Sequence, residues 1–158
     1  MIHVEHRPAI YIGSDHAGFQ LKSAITAFLK RRGYEVMDMG PDAYDAEDDY
    51  PDYAAKVCRS IIGTENKGIL ICGSGQGMDR AANKFPGIYA SVCWNSETAR
   101  IAKEHGNVNV LCLPGRMTKE GTAKRMVGIW LDRPFSGEER HKRRIMKTKA
   151  IEDEQRRK

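Results

Sequence analysis

The chain has 158 residues, 41% hydrophobic and 30% charged, the proportions of an ordinary globular domain around one sizeable core. No run approaches the ~18 apolar residues a membrane span needs, and Met1-Ile2-His3-Val4-Glu5-His6-Arg7 lacks the basic-then-apolar design of a secretory leader, so a cytoplasmic protein is expected. The net charge of +5 is uneven: from Glu138 onward nine Lys/Arg face five Asp/Glu, a local +4 that leaves +1 for residues 1–137 and argues against a dedicated nucleic-acid binder.

Short apolar runs alternate with helical periodicity along the chain. Ala9-Ile10-Tyr11-Ile12 predicts a first strand ending in Gly13-Ser14-Asp15-His16. Leu21, Ile25, Phe28 and Leu29 then lie on one helical face, closed by Arg32-Gly33. Tyr34 to Met39 reads as a second strand, and Tyr53 to Ile62 as a second helix after an acidic loop. Lys67-Gly68-Ile69-Leu70-Ile71-Cys72 is almost wholly apolar, the pattern of a buried parallel strand. A glycine-rich turn, Gly73-Ser74-Gly75-Gln76-Gly77, leads into a helix through Ala81 and Ala82. Ile88 to Cys93 and Asn109 to Leu113 are the last two strands, separated by a helix capped by Asn95 and ending at His105-Gly106. Thr118 opens a helix carrying Ala123, Met126, Val127, Trp130 and Leu131 on one face, and Ser136-x-x-Glu139 predicts a capping box before a long basic helix.

Strand–helix units of this length imply right-handed crossovers. The expected fold is α/β: a Rossmann-like, flavodoxin-like parallel sheet of five strands flanked by helices on both faces, with an extended C-terminal helix. The expected organisation is a single domain over residues 1–150 and a frayed or appended basic tail over 151–158.

Ligands of such sheets bind beyond the carboxyl ends of the strands, where polar and glycine-rich residues gather here. The Gly73–Gly77 turn lacks the third glycine of a dinucleotide fingerprint, Met78 standing in its place, and lacks the Gly-Lys-Ser/Thr of a P-loop. It could hold an oxyanion on backbone N–H groups, or be only a tight turn. Cys72 sits beside a helix N-terminus, where thiolates are stabilised, yet taken alone it reads more simply as a small buried residue. Asp15 and His16 offer an acid–base pair at a strand end, with helix capping the simpler role for Asp15. Arg140 and Arg144 share a helix face, with His141 adjoining, and fit either an anion or plain solvation. Asp42, Asp45, Glu47, Asp48, Asp49 and Asp52 lack the glycine and spacing of a calcium loop and read as solvated. Cys58, Cys72, Cys93 and Cys112 form no Cys-x-x-Cys pair, so zinc and disulfides are not expected and the thiols should be free and mostly buried.

Several motifs then fall in order from Ile10 to Ile145. They are Gly13-Ser14-Asp15-His16-Ala17-Gly18, Asp49-Tyr50-Pro51-Asp52-Tyr53 and Cys72-Gly73-Ser74-Gly75-x-Gly77-Met78, the last running into Ala81-Ala82-Asn83-Lys84-x-Pro86-Gly87. His105-Gly106-Asn107-Val108-Asn109-Val110-Leu111, Gly115-Arg116 and Arg140-His141-x-x-Arg144 follow. Together they resemble the type B ribose-5-phosphate isomerase and galactose-6-phosphate isomerase family. The resemblance implies an aldose–ketose isomerase without metal or other cofactor, working through a cis-enediolate as a homodimer or homotetramer with sites between subunits. It implies that Cys72 moves the carbon-bound proton while Ser74 and the N–H groups around Gly73, Gly75 and Gly77 hold the enediolate. Asp15 and His105 would serve hydroxyl protons and ring opening, and Tyr50 would lie against the sugar. His16, Arg116, Arg140 and Arg144 would receive the phosphate, with His105, Asn107 and Arg116 reaching in from a neighbouring subunit. Relatives that lack the cysteine carry a glutamate at the position of Met78, so this chain resembles the cysteine branch. It departs from the pattern where Gly106 separates His105 from Asn107, and in its longer basic tail.

Ribose 5-phosphate and ribulose 5-phosphate are the expected substrates. The alternatives are another sugar phosphate (galactose or allose 6-phosphate, or a four-carbon ketose phosphate) and a non-enzymatic flavodoxin-like module binding an anion or nucleotide. Such a module would need the glycine turn but not Cys72, Asp15, His105 and the arginines together.

Overall fold

The apolar run Lys67–Cys72 becomes strand β3, the middle of the sheet, with every residue after Lys67 buried. In this computed structural model residues 6–158 are described; Met1 to Glu5, most of the segment read for a leader, lie outside the described residues. The other elements are β1 (Ile10–Ser14), α1 (Phe19–Arg31), β2 (Val36–Asp38), α2 (Tyr50–Ile61), α3 (Gln76–Ala82), β4 (Ala90–Val92), α4 (Ser96–Glu104), β5 (Val110–Pro114), α5 (Glu120–Asp132) and α6 (Glu139–Arg156).

All strand pairs are parallel, in the order β2-β1-β3-β5-β4. The expected α/β sheet is therefore present, with one particular. Relative to the flavodoxin order 2-1-3-4-5, the last two strands are exchanged, leaving short β4 at the edge. The strands' period of two sorts the core into two layers. Ile10, Ile12, Ile69, Ile71, Leu111 and Leu113 meet α1, α4 and α5, with Trp130 fully buried among them. Leu70, Cys72, Val110 and Cys112 face α2 and α3.

Strand β4 is finished by side chains. Its inward-pointing groups bond β5, through Cys93 N–H to Cys112 O at 3.0 Å. Its outward-pointing groups are taken by the end of α3: Asn83 Oδ1 accepts from Ala90 N–H at 2.9 Å, Asn83 Nδ2 donates to Ala90 O at 3.0 Å, and Asp79 Oδ2 accepts from Val92 N–H at 2.6 Å.

Three expectations need correction. Helix α2 begins at Tyr50, three residues earlier than its apolar face suggested, because Pro51 is pre-set for a first helical turn. The Ser136–Glu139 capping box is not formed: Glu138 is the N-cap, and Ser136 Oγ lies 2.7 Å from His141 Nδ1 and accepts from Glu138 N–H. The segment from Ile151 is not frayed either, since α6 continues to Arg156 and Glu152 accepts from Gly87 N–H. Among the described residues no helix is long and apolar enough to cross a membrane.

Candidate active site

The candidate residues fall into two sets at opposite ends of the sheet. The first gathers where β1 and β3 end. Asp15 is 6% exposed. Its Oδ1 accepts from Ala17 N–H at 2.9 Å and Gly18 N–H at 3.3 Å, capping a single 3-10 turn, while its own N–H donates to Ile71 O. The capping role is thus real, and burial pushes this carboxyl above its ordinary range despite those two bonds.

Cys72, 4% exposed, packs with Ala54, Cys58 and Met78 beneath the glycine turn. All four cysteines are free and buried. Burial pushes the Cys58 thiol up to about 12 and the Cys93 thiol up to about 11, so neither is a competing base. The turn needs its glycines. Gly75 has φ +75°, and a Cβ there would lie 2.6 Å from Val92 Cγ2. At Gly77 a Cβ would come within 2.6 Å of the Tyr50 ring, so the first residue of α2 rests on the turn. Ser74 Oγ accepts from Gln76 N–H at 3.3 Å. Arg116 N–H donates to Gly73 O at 3.0 Å, and its guanidinium lies over Gly73, where a Cβ would be 3.3 Å from Nη1. Asp15, His16, Tyr50, Cys72, Gly73, Ser74, Gly75, Gly77 and Arg116 therefore belong to one end of one chain. Arg116 had been expected to act with His105 and Asn107; it stands instead with Cys72, because Cys72 pairs with Pro114 at the end of β5, two residues before it.

The second set lies where β5 begins. Val110 and Pro114 are separated by about 13 Å at the usual rise per strand residue, and His105 precedes Val110 whereas Cys72 pairs with Pro114. His105 ends α4 and stacks on His141 of α6, ring centroids 4.2 Å apart at 26°. Both line a cleft of about 440 Å³ with Arg144, Ser91 and Tyr89. Burial and the neighbouring His105 hold His141 below the ordinary imidazole range. Of the two expected arginines Arg144 lines this cleft, while Arg140 lies outside its lining with Nε paired to Glu138 at 2.7 Å. Asn107 adopts φ +46°, and its Oδ1 accepts from Lys103 Nζ at 3.0 Å, which ties the carboxamide to α4.

Two residues were missed. His141, expected only to adjoin the arginines, is the buried residue of that helix at 3% exposure. Asp48, expected in a solvated run, has a side chain only 6% exposed, and its Oδ1 accepts from both His16 N–H at 2.9 Å and His16 Nδ1 at 2.8 Å. No local pattern could have singled it out, since its partner is 32 residues away. Asp15, His16 and Asp48 bring three possible metal-ligand atoms within 4.8 Å of one another. Asp15 Oδ1, Asp48 Oδ1 and His16 Nδ1 are already engaged in hydrogen bonds, and Asp15 acts on the other two through its charge.

A family model described as Ribose/Galactose Isomerase matches residues 10–148. A ribose-5-phosphate isomerase B of Mycolicibacterium paratuberculosis is 42% identical over 137 residues, 86% of each chain. That of Escherichia coli is 43% identical over 144 residues, 90% of this chain and 95% of the other. A crystal structure of the Mycoplasma genitalium ribose-5-phosphate isomerase B with bound ribulose-5-phosphate superposes with a TM-score of 0.89 at 41% identity, covering 92% of this chain and 97% of that one.

Proposed function

The chain belongs to the ribose/galactose isomerase family, and on that premise we propose that it interconverts ribose 5-phosphate and ribulose 5-phosphate, with Cys72 as the base, in a site shared by two copies. Removing a proton from carbon beside a carbonyl needs a positioned base and donors where the oxyanion develops. Cys72 takes the proton from C2 of the open-chain aldose and returns it to C1. Ser74 and the backbone N–H groups of the Gly73–Gly77 turn hold the enediolate oxygens. Asp15 moves the hydroxyl proton between O2 and O1, and Tyr50 lines the sugar. His16 and Arg116 meet the phosphate from one copy; Arg140 and Arg144 meet it from the other, where His105 opens the furanose. Asn107, bound to Lys103, shapes the turn that carries His105. No step calls for a metal or cofactor, and the free buried thiols suit a reducing cytosol.

The observation that carries this reading is the convergence of Cys72, Asp15, His16 and Arg116 at one end of the sheet, with His105 and Arg144 at the other. A single chain cannot bring the two sets to one sugar, whereas a homodimer, alone or within a tetramer, can.

The test is direct. The protein is assayed on ribose 5-phosphate, galactose 6-phosphate and allose 6-phosphate, and Cys72→Ala and His105→Ala copies are then mixed. Shared sites restore about a quarter of the parent activity, since half the dimers are mixed and each carries one intact site. No restoration after subunit exchange overturns the shared site; preference for a six-carbon substrate overturns the assignment of ribose 5-phosphate.

A further inference from the structure

The loop between β2 and α2 carries several carboxylates, and Asp48 alone among them is turned to His16. Its Oδ1 takes both the backbone N–H and the ring Nδ1 of His16, and the Tyr53 hydroxyl stands beside the same buried carboxylate. A buried carboxylate is costly unless it is hydrogen-bonded and paired with a cation. The polar neighbours of Asp48 are His16 and the Tyr53 hydroxyl, of which His16 is the one that can become a cation; with Nδ1 committed, Nε2 is the ring atom left for a ligand. A neutral ring held this way offers Nε2 as an acceptor, which a phosphate dianion cannot use. A protonated ring offers an N–H donor.

We propose that Asp48 is a positioning residue for substrate phosphate, orienting the His16 imidazole through Nδ1 so that Nε2–H is presented to the anion. The inference rests on the reading of His16 as a phosphate contact. The surroundings agree with it: the bond to Asp48 raises His16 above its ordinary range, with Asp15 helping and Arg116 opposing. Burial works to raise Asp48, yet the two His16 bonds, helped by the Tyr53 hydroxyl, hold its carboxyl below the usual range. The other titratable groups around the pair are Tyr53, against Asp48 with Asp45 nearby, Tyr44, whose ring stands edge-on to His16 at 6.3 Å, and Glu120 across the adjoining cleft. Because the folded-state value of His16 is raised, the phosphate contact is complete below the ordinary imidazole value and fades as pH climbs through the raised one.

The experiment compares the parent protein with Asp48→Asn and Asp48→Glu. In Asp48→Asn the KM for ribose 5-phosphate rises roughly fivefold or more while kcat changes less than about twofold. The pH at which KM starts to climb moves down, and Asp48→Glu restores part of both. Imidazole NMR titration without substrate, with His16 assigned through His16→Asn, shows the parent His16 titrating above the ordinary value and Asp48→Asn lowering it. Inorganic phosphate binds Asp48→Asn more weakly in the same spectra. Identical KM–pH curves, an unchanged phosphate affinity, or a parent His16 that titrates at or below the ordinary value overturns the proposal; the last requires no variant to fold. If the parent does not isomerise ribose 5-phosphate, the activity assignment fails by itself, and the substrate-free titrations still decide what Asp48 does.

Discussion

The two ends of the sheet are built differently. At the ends of β1 and β3 the polar groups are short, buried and tied to the backbone: Asp15 caps a turn, Asp48 grips His16, and Tyr50 rests on Gly77. Where β5 begins, two stacked imidazoles and Arg144 line an open cleft, while Arg140 is turned aside to Glu138. On the proposed reading the first end moves the proton, and groups already held in place there need no reorganisation during reaction. The second is a set of cationic and aromatic groups with no sugar-sized chemistry of its own. The lesson is that a single chain supplies two unlike halves, one fixed and one receptive.

The largest effect should come from the fixed half. Cys72→Ala should lower kcat by about 10²–10⁴ and leave inorganic phosphate binding intact, read by steady-state assay and by NMR titration. Cys72→Ser should be nearly as slow, because a hydroxyl is the weaker base partner. The receptive half should behave otherwise. Arg144→Ala should raise KM for ribose 5-phosphate roughly tenfold, the loss of one charge-assisted contact, with kcat falling much less. A fall confined to kcat would erase the distinction between the halves.

Smaller effects should appear in stability. Trp130 is fully buried, and its Nε1–H donates to Val108 O at 3.1 Å, bracing the turn after His105. Trp130→Phe should cost about 1–3 kcal/mol, measured by urea unfolding. Smallest is Lys103, whose burial, followed by the nearby Lys67, lowers its ammonium to about 8. A depressed lysine binds fewer protons folded than unfolded, so its penalty is full below about 8 and is relieved as pH rises toward the ordinary value near 10.5. Lys103→Met should therefore raise Tm relative to the parent at pH 7, and the gain should shrink by pH 10. A gain that grows with pH would reverse the sign.

The features legible in the sequence are those that local chemistry determines. Lys67–Cys72 announces a buried parallel strand by composition alone, and Asn95 announces its helix by a cap that forms as expected, accepting from Thr98 N–H at 2.8 Å. The glycine turn and the place of Cys72 at a strand end are legible because backbone conformation and strand ends leave a signature. Asp48 and His141 were not, since their burial arises from partners distant in sequence or from helix docking. Ser136 illustrates the limit: its spacing to Glu139 fits a capping box, but His141 competes for the same hydroxyl and prevails. Which candidate residues share an end of the molecule was equally invisible, because that depends on which way along β5 each flanking loop departs.

The Asp79 and Asn83 contacts on β4 bear on how copies of this chain can meet. A bare strand at a sheet margin is a template onto which another polypeptide can extend the ladder, and repetition of that event gives fibres. Here the outward N–H groups of Ala90 and Val92 and the carbonyl of Ala90 are already occupied by the chain's own α3. Any contact across that margin must therefore be made by side chains and helices rather than by added strands. Resistance to strand-on-strand extension at that margin thus follows from two residues, neither of which belongs to the proposed chemistry.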